Sequence, residues 1–261
     1  MTEKLFLQER LDQILAFLQE QGRASVAELS ERFDVSAVTI RNDLATLEQQ
    51  GYLLRTHGGA VLKPNLTSFG AEPPAFALRK DLHAREKERI GQAAAELVRQ
   101  GDSIALDGST TAWQIARHLK DRRDLTVVTN GLFIALEFVE APGVTVVMPG
   151  GSLRPVSASL VGSHGADILE RYHVQRGFFG GGGFTLEEGL TDTNEYEAQL
   201  KQRMVARSKE VIAIVDSSKW GQVTLAPLVS VDQLDRVITD KGAPVDMVAA
   251  LRQRGIEVTL V

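Results

Sequence analysis

The chain contains no cysteine. Disulfides, thiolate-held zinc, iron–sulfur clusters and a cysteine nucleophile are excluded together. Positive charge is not in excess either: 29 Lys and Arg stand against 34 Asp and Glu, a formal net charge of −5. No global polycation announces a nucleic-acid partner, so any DNA contact must come from a local surface. No run approaches the roughly 18 consecutive apolar residues of a membrane helix. Residues 1–10 carry acids and no apolar core, unlike a signal peptide. The expectation is a cytoplasmic protein with no membrane partner. The histidines (His57, His83, His118, His164 and His173) include no pair at the i, i+4 spacing of a zinc helix. There is no Gly-x-Ser-x-Gly elbow and no Gly-Lys-Ser/Thr of a Walker A loop, so serine and nucleotide hydrolases lack their anchors. Neither a metal nor a cofactor is expected. Repeats and low-complexity tracts are absent as well.

What is present is 261 residues, 43% hydrophobic and 24% charged. That is ordinary globular composition, at a length worth one to two domains of about 150 residues each. The first 60 residues have a helical rhythm. Leu7, Leu11, Ile14, Leu15 and Leu18 form one apolar stripe ending at Gly22. Ser25 with Glu28 three residues on reads as a capping box for a short second helix. Ser36 can cap a third helix running to about Gln50, with Val38, Leu44 and Leu47 inward and Ile40 near the edge. Two short extended runs then flank His57-Gly58-Gly59, a β-hairpin pattern. Helix, turn, helix and a glycine-tipped hairpin make the plan of a winged helix-turn-helix. Its third helix would offer Ser36, Ala37, Thr39, Arg41 and Asn42 to the major groove. The hairpin would offer Arg55, Thr56, His57 and Gly58 to the backbone or minor groove. Against this, residues 1–60 hold six bases and nine acids, and three-helix units also serve protein contacts alone.

Residues 63–85, punctuated by Pro64, Gly70, Pro73 and Pro74, read as a linker. From residue 86 the chain alternates strands and helices. Strands are expected at 103–107, 125–129, 144–148, 175–180, 211–216, 235–239 and 257–261. Helices are expected at 86–99, 110–119, 132–140, 158–172, 194–208 and 245–252. The apolar strand runs imply a mostly parallel α/β sheet buried on both faces, whose ligands bind at the strands' carboxyl ends. Polar loops converge there. Asp107-Gly108-Ser109-Thr110-Thr111 opens a helix and can cradle an anion with backbone N–H groups, or can be a plain βα turn with an N-cap. Thr129-Asn130, Gly150-Gly151 with Arg154, Gly180 to Gly183 and Asp216 to Lys219 follow other strands. Together they suit a small phosphorylated polyol. Each alone is also ordinary loop chemistry.

Two ordered sets of residues resemble the DeoR family of bacterial transcriptional regulators. The first runs Val35-Ser-Ala-Val-Thr-Ile-Arg-Asn-Asp-Leu44, Leu47-Glu48, Gly51 and Arg55-Thr-His-Gly-Gly-Ala60. The second includes Arg79, Glu86-Lys87, Asp107–Thr111, Thr126–Asn130, Gly150-Gly151, Gly162, Phe179-Gly180, Gly189-Leu-Thr191, Glu197-Ala198, Lys201 and Asp216–Lys219. Asn42 stands where the family usually has a second arginine. Gly181, Gly182 and Gly183 stand where it often has a polar side chain. The resemblance implies a DNA-binding domain over 1–62, the linker over 63–85, and an effector domain over 86–261 similar in fold to ribose-5-phosphate isomerase. It implies a repressor of a carbohydrate operon that binds double-stranded operator DNA as a dimer or tetramer and responds to a phosphorylated sugar. Phosphate would meet Gly108, Ser109, Thr110 and Thr111, with Lys219 as counter-charge. Asp107 and Asn130 would bond sugar hydroxyls, with Thr129, Gly150, Gly151, Gly181 and Gly182 lining the site. Arg154 would reach phosphate or close a loop. The competing reading is a sugar-phosphate isomerase with an appended helical domain and Asp107 as base. A weaker third is a protein–protein adaptor.

Overall fold

A computed structural model describes residues 7–49, 53–62, 75–162 and 165–261. The chain divides into two compact units, Met1–Ser68 and Phe69–Val261. Among the described residues, no helix is long and apolar enough to cross a membrane.

The first unit holds helices α1 (Leu7–Gln21), α2 (Val26–Phe33) and α3 (Ala37–Gln49), and strands β1 (Arg23–Ser25), β2 (Leu53–Thr56) and β3 (Gly59–Leu62). Ser25 Oγ accepts from Glu28 N at 3.1 Å, and Glu28 accepts from Ser25 N at 2.8 Å. This reciprocal capping box satisfies two donors that the start of α2 would otherwise leave open. The helix ends at Asp34, which takes a left-handed turn (φ 50°). Leu11, Ile14, Leu18, Leu29, Ile40, Leu44, Leu47 and Leu53 are buried together, each contributing about 1.5–3 kcal/mol. The expected phase of α3 is corrected at its start. Ile40 is fully buried, and Val38, expected inside, is 62% exposed. Positions 40, 44 and 47 are one helical face, and 38 lies outside it. Across the core, Arg10 Nε and a terminal guanidinium nitrogen grip Asp43 at 2.6 and 3.1 Å, tying α1 to α3. The hydrogen bonds that Arg10 donates to Asp43 raise the Arg10 pKa. The hairpin β2–β3 gains a third strand unseen in the sequence, since β1 pairs with β3 antiparallel.

The second unit is a doubly wound sheet of seven parallel strands: β4 (Ser103–Leu106), β5 (Leu125–Thr129), β6 (Val144–Val147), β9 (Val174–Phe179), β12 (Ser208–Ile214), β14 (Arg236–Thr239) and β15 (Glu257–Leu260). Their order is β15-β14-β12-β9-β4-β5-β6. One face packs on α5 (Ala84–Glu96), α6 (Thr110–His118) and α7 (Leu132–Glu137), through Ile90, Ile115 and Ile134. The other packs on α8 (Ala166–Leu169), α9 (Glu195–Ala206) and α10 (Val245–Gln253), through Leu169, Leu200, Met204 and Leu251. Strands buried on both faces explain the continuous apolar runs. The amino edge is stitched by an ion-pair chain, Asp102–Arg176–Glu210–Arg236–Glu257, with contacts of 2.6, 3.0, 3.5 and 2.6 Å. The carboxyl edge is the polar, open-chemistry side.

Two expectations fail here. Residues 158–172 are not one helix: 159–161 form β8 (Ser159–Val161), paired with β7 (Ser152–Arg154), and only α8 is helical. Tertiary hydrogen bonds decide it, since Leu160 N donates to Asn130 O and Leu132 N to Ala158 O, both at 2.8 Å. The stretch read as a linker is partly structured. Residues 63–74 lie outside the described residues, but α4 (Phe76–Arg79) follows, with Phe76 buried. A small antiparallel sheet of β10 (Gly183–Thr185), β11 (Gly189–Asp192) and β13 (Ala226–Val229) completes the unit.

Candidate functional site

In the first unit, Ser36 Oγ accepts from Thr39 N at 3.1 Å and so caps the start of α3. The Thr39 hydroxyl lies 2.9 Å from it. Ala37 is half-buried, while Ser36, Arg41 and Asn42 are exposed. A helix presenting arginine, asparagine and hydroxyls at its amino end can read a major groove. Exposed Val38 joins them, and an aliphatic group there suits the thymine methyl. At the hairpin, Arg55, Thr56, His57 and Gly58 are all exposed. Gly58 turns at φ 120°, a conformation few side chains tolerate. Arg55 N donates to Glu48 Oε1 at 3.0 Å, and its guanidinium lies 4.0 Å from the same carboxylate. Strand β2 is thus fixed to α3 close to the hairpin's turn.

In the second unit, β4 and β9 are adjacent but lead to connections on opposite sides. A crevice at the carboxyl ends of such a pair is where open α/β sheets bind ligands. Asp107, following β4, accepts from Gly180 N (3.1 Å), following β9, and from Ser109 N (3.3 Å). Gly180 is required there, because a Cβ would lie 2.6 Å from Ser109 Oγ. Ser109 caps α6 by accepting from Ala112 N at 3.1 Å. The N–H groups of Thr110 and Thr111 have no acceptor among the described residues, as the first turn of a helix dictates. A Cβ on Gly108 would face Ser159 Cβ at 3.0 Å and Asn130 Oδ1 at 3.6 Å. Asn130 donates to Leu160 O at 3.2 Å. Its Oδ1 is buried and unpartnered, an acceptor aimed at the glycine loop. Thr129 Oγ1 accepts from Gly131 N at 3.1 Å.

The other nominated residues divide. Arg154 NH1 donates to Ser157 Oγ at 3.2 Å and contacts Glu197 at 3.4 Å. Ser159 also donates to Glu197, at 2.7 Å. Lys219 ends a short 3₁₀ turn capped by Asp216. Burial pushes the Asp216 carboxyl up, but Lys219, Lys87, His83 and its bond from Ser218 outweigh that and hold it below its ordinary value. Gly150 and Gly151 turn the chain into β7 with φ 77° and 117°. Gly181 and Gly182 are packed closely on other residues: a Cβ would meet Leu190 Cδ1 at 2.6 Å or Thr193 Cγ2 at 2.9 Å.

The residues that sequence reasoning left out of the site are its buried charges. Lys201 lies 2.7 Å from Asp107, 2.6 Å from Asp192 and 3.3 Å from Gly180 O. Burial lowers its pKa, yet Asp107, Asp192 and Glu197 outweigh that and raise it. Lys87 is a second buried cation, and Arg79, to whose carbonyl it bonds, is half-buried. Lys87 donates to Arg79 O at 2.6 Å and to Leu82 O. Burial, reinforced by Lys219 and Arg79 and opposed by Asp216, brings its pKa to about 7. The folded state therefore binds fewer protons than the unfolded chain between about pH 7 and the ordinary lysine value, and stability rises with pH there. The rise attributable to Lys87 is up to about 1.4 kcal/mol per pH unit. Urea midpoints from pH 7 to 9.5 should lose that slope in Lys87→Met. Equal slopes would mean that the amine stays charged throughout.

Among the described residues, no group of His, Asp or Glu is arranged to hold a metal. A winged helix-turn-helix joined to a doubly wound α/β unit with a polar switch-point crevice defines a ligand-responsive class of DNA-binding protein. Residues 10–65 match the DeoR-like helix-turn-helix domain, and residues 82–241 match the DeoR C terminal sensor domain. The chain belongs to the DeoR family of transcriptional regulators. It is 38% identical over 253 residues to the putative aga operon transcriptional repressor of Escherichia coli O157:H7, covering 97% of this chain and 93% of that one. It is 38% identical over 236 residues to the regulator GolR of Listeria innocua, covering 90% and 91%. The glycerol-3-phosphate regulon repressor of Escherichia coli K12 is 31% identical over 252 residues, covering 97% and 98%. A distant likeness is ribose 5-phosphate isomerase A of Methanocaldococcus jannaschii, with a TM-score of 0.38 and 18% identity over 51% of this chain and 53% of that one. Family membership sets aside the isomerase and adaptor readings: the protein is a DNA-binding transcriptional regulator, not an enzyme.

Proposed function

We propose that the protein is a cytoplasmic repressor of a carbohydrate-utilisation operon whose operator affinity is set by a phosphorylated sugar or polyol. The observation that carries the ligand reading is the buried, unpartnered Asn130 Oδ1 beside Gly108, next to the open first turn of α6. A phosphate on the N–H groups of Thr110 and Thr111 would gain from the helix dipole. A neighbouring hydroxyl would then satisfy Asn130. Three relatives named for the aga operon, the glycerol-3-phosphate regulon and the L-fucose operon support the metabolic class. The residues assigned to ligand are Asp107, Gly108, Ser109, Thr110, Thr111, Thr129 and Asn130 directly. Gly150, Gly151, Arg154, Gly181, Gly182 and Lys219 shape the surroundings.

On the DNA side, Ser36, Ala37, Thr39, Arg41 and Asn42 face the major groove, with Arg55, Thr56, His57 and Gly58 on the backbone or minor groove. A homo-oligomer, dimer or tetramer, would present two such units to paired half-sites. The test is fluorescence anisotropy of labelled duplex from upstream of the protein's own gene, against a scrambled duplex at one stated salt concentration. Selective binding that a sugar phosphate shifts is the expected result. Arg41→Ala should weaken it by about 5- to 150-fold, the equivalent of roughly 1–3 kcal/mol for one base contact. Unchanged affinity in that variant would remove Arg41 from the interface. Selectivity that no phosphorylated sugar alters would overturn the effector reading.

A further inference from the structure

The parallel sheet ends differently on its two sides. At β15 the margin is guarded: Glu257 pairs with Arg236 at 2.6 Å, and Arg252 donates to Val258 O at 3.0 Å. At β6 it is open. Leu125 N donates to Gly143 O at 3.2 Å. Residues 143, 145 and 147 therefore turn their amide groups to β5, and residues 144 and 146 turn theirs away from the sheet. Val144 N finds Ala141 O at 3.0 Å. Among the described residues, nothing bonds the N–H or the carbonyl of Val146. Sheets commonly guard such a margin with a charge or a proline in the strand. Strand β6 has neither. Pro142 and Pro149 only bound it, and residues 141–153 carry no charge at all.

Beside this edge lies a second unpartnered surface. Ile134 and Phe138 of the α7 segment face the sheet. Glu137 accepts from Trp113 Nε1 at 2.8 Å, which marks the side toward α6. Leu132, Ala135, Leu136 and Val139 fall at i, i+3, i+4 and i+7 on another side. Leu136 is 53% exposed and Val139 74%. The core face of α7 is already supplied, so this second apolar stripe serves association.

The chemistry selects the occupant. A free strand edge is its own antiparallel complement, as a two-fold interface requires. The neutral segment offers nothing to an acidic or basic peptide, and pairing with itself sets no like charges opposite one another. The charges near β6 lie at its amino end, where Arg122 O would sit 2.4 Å from a Cβ on Gly143 and Glu140 is exposed. Antiparallel pairing lays that end over the partner's neutral 149–152 stretch.

We propose that β6 pairs antiparallel with β6 of a second copy of this chain, about a two-fold axis normal to the sheet and centred on Val146. The two sheets then run on as one, and α7 packs beside its own copy on the same face through Leu136 and Val139. A stable dimer buries about 800 Å² on each partner, more than one short strand supplies, so the helix stripe is part of the interface. The inference rests on the homo-oligomer reading and is independent of the effector.

The experiment measures the mass of full-length protein by sedimentation at one protein and salt concentration. Wild type is expected at a multiple of the monomer mass. Val146→Pro removes an outward N–H and no bond to β5, and Thr145→Lys puts a charge on an exposed edge position. Each should halve the wild-type mass and leave the tryptophan-fluorescence melting curve in place. Because the chain has no cysteine, Val146→Cys gives a reading that needs no disruption. Facing residues at the centre of the pair stand about 5.5 Å apart between Cα atoms, within disulfide reach, so mild oxidation should yield a covalent dimer. Leu260→Cys, on the opposite edge, should yield none. If wild type is an oligomer but the folded edge variants keep its mass, or Val146→Cys fails to cross-link, the edge assignment is overturned and the homo-oligomer reading stands. If wild type is a monomer, both fall.

Discussion

Replacing Lys201 with methionine is expected to destabilise the α/β unit by about 3–5 kcal/mol, the usual cost of removing one partner from a buried ionic group. The ammonium is enclosed, with two carboxylates in direct contact. Without it, Asp107 and Asp192 would share a dry space with no cation between them. The loss should lower the melting temperature by roughly 6–20 °C, at about 2–4 °C per kcal/mol for a unit of this size. Both tryptophans, Trp113 and Trp220, lie in this unit, so intrinsic fluorescence follows its unfolding. Adding Asp192→Asn to the Lys201 variant should restore part of the stability, because the pair would no longer be two like charges facing each other. A loss below about 1 kcal/mol would mean that water reaches the site and screens it. The carboxylate geometry at Gly180 would then not depend on Lys201.

The arrangement explains why much of the site was legible and its charges were not. Asp107, the Gly108–Thr111 loop and Asn130 stand immediately after apolar strands, and a parallel sheet brings all such loops to one edge. Lys201, Asp192 and Glu197 follow no such rule. They lie on β11 and α9, far along the chain, and a charged residue on a helix reads first as solvated surface. Lys201 was visible as a matching family position, but nothing local pairs it with Asp107. The fold shows the same division. Buried strands announce themselves by unbroken apolar runs, as at Val211 to Ile214. The 158–161 segment has apolar residues at spacings that fit a helix, yet its backbone is claimed by β7 and by the Asn130 loop. Val38 and Ile40 exchanged roles because 40, 44 and 47 recur at helical spacing, whereas 38 stands six residues before 44 and so on another face of α3. Three-residue β1 has too few side chains to carry a period at all.

Asp43→Ala is expected to destabilise the winged unit by about 2–4 kcal/mol, toward the lower end of the range for a buried pair. Arg10 would keep its charge but lose both bonds to the carboxylate, and α3 would lose its polar tie to α1. The effect should be invisible to tryptophan fluorescence, since neither tryptophan belongs to this unit. It should appear in the helical circular dichroism signal as an earlier partial transition, with the fluorescence midpoint unmoved. Operator affinity should fall in proportion to the fraction of winged unit unfolded, while affinity for the effector stays at its wild-type value. That pattern would be the reverse of Lys201→Met, where fluorescence shifts first. Should Asp43→Ala instead move both midpoints together, the two units would be thermodynamically coupled. The free energy linking them would then bound how much of the effector's influence on DNA binding can pass through their mutual stability.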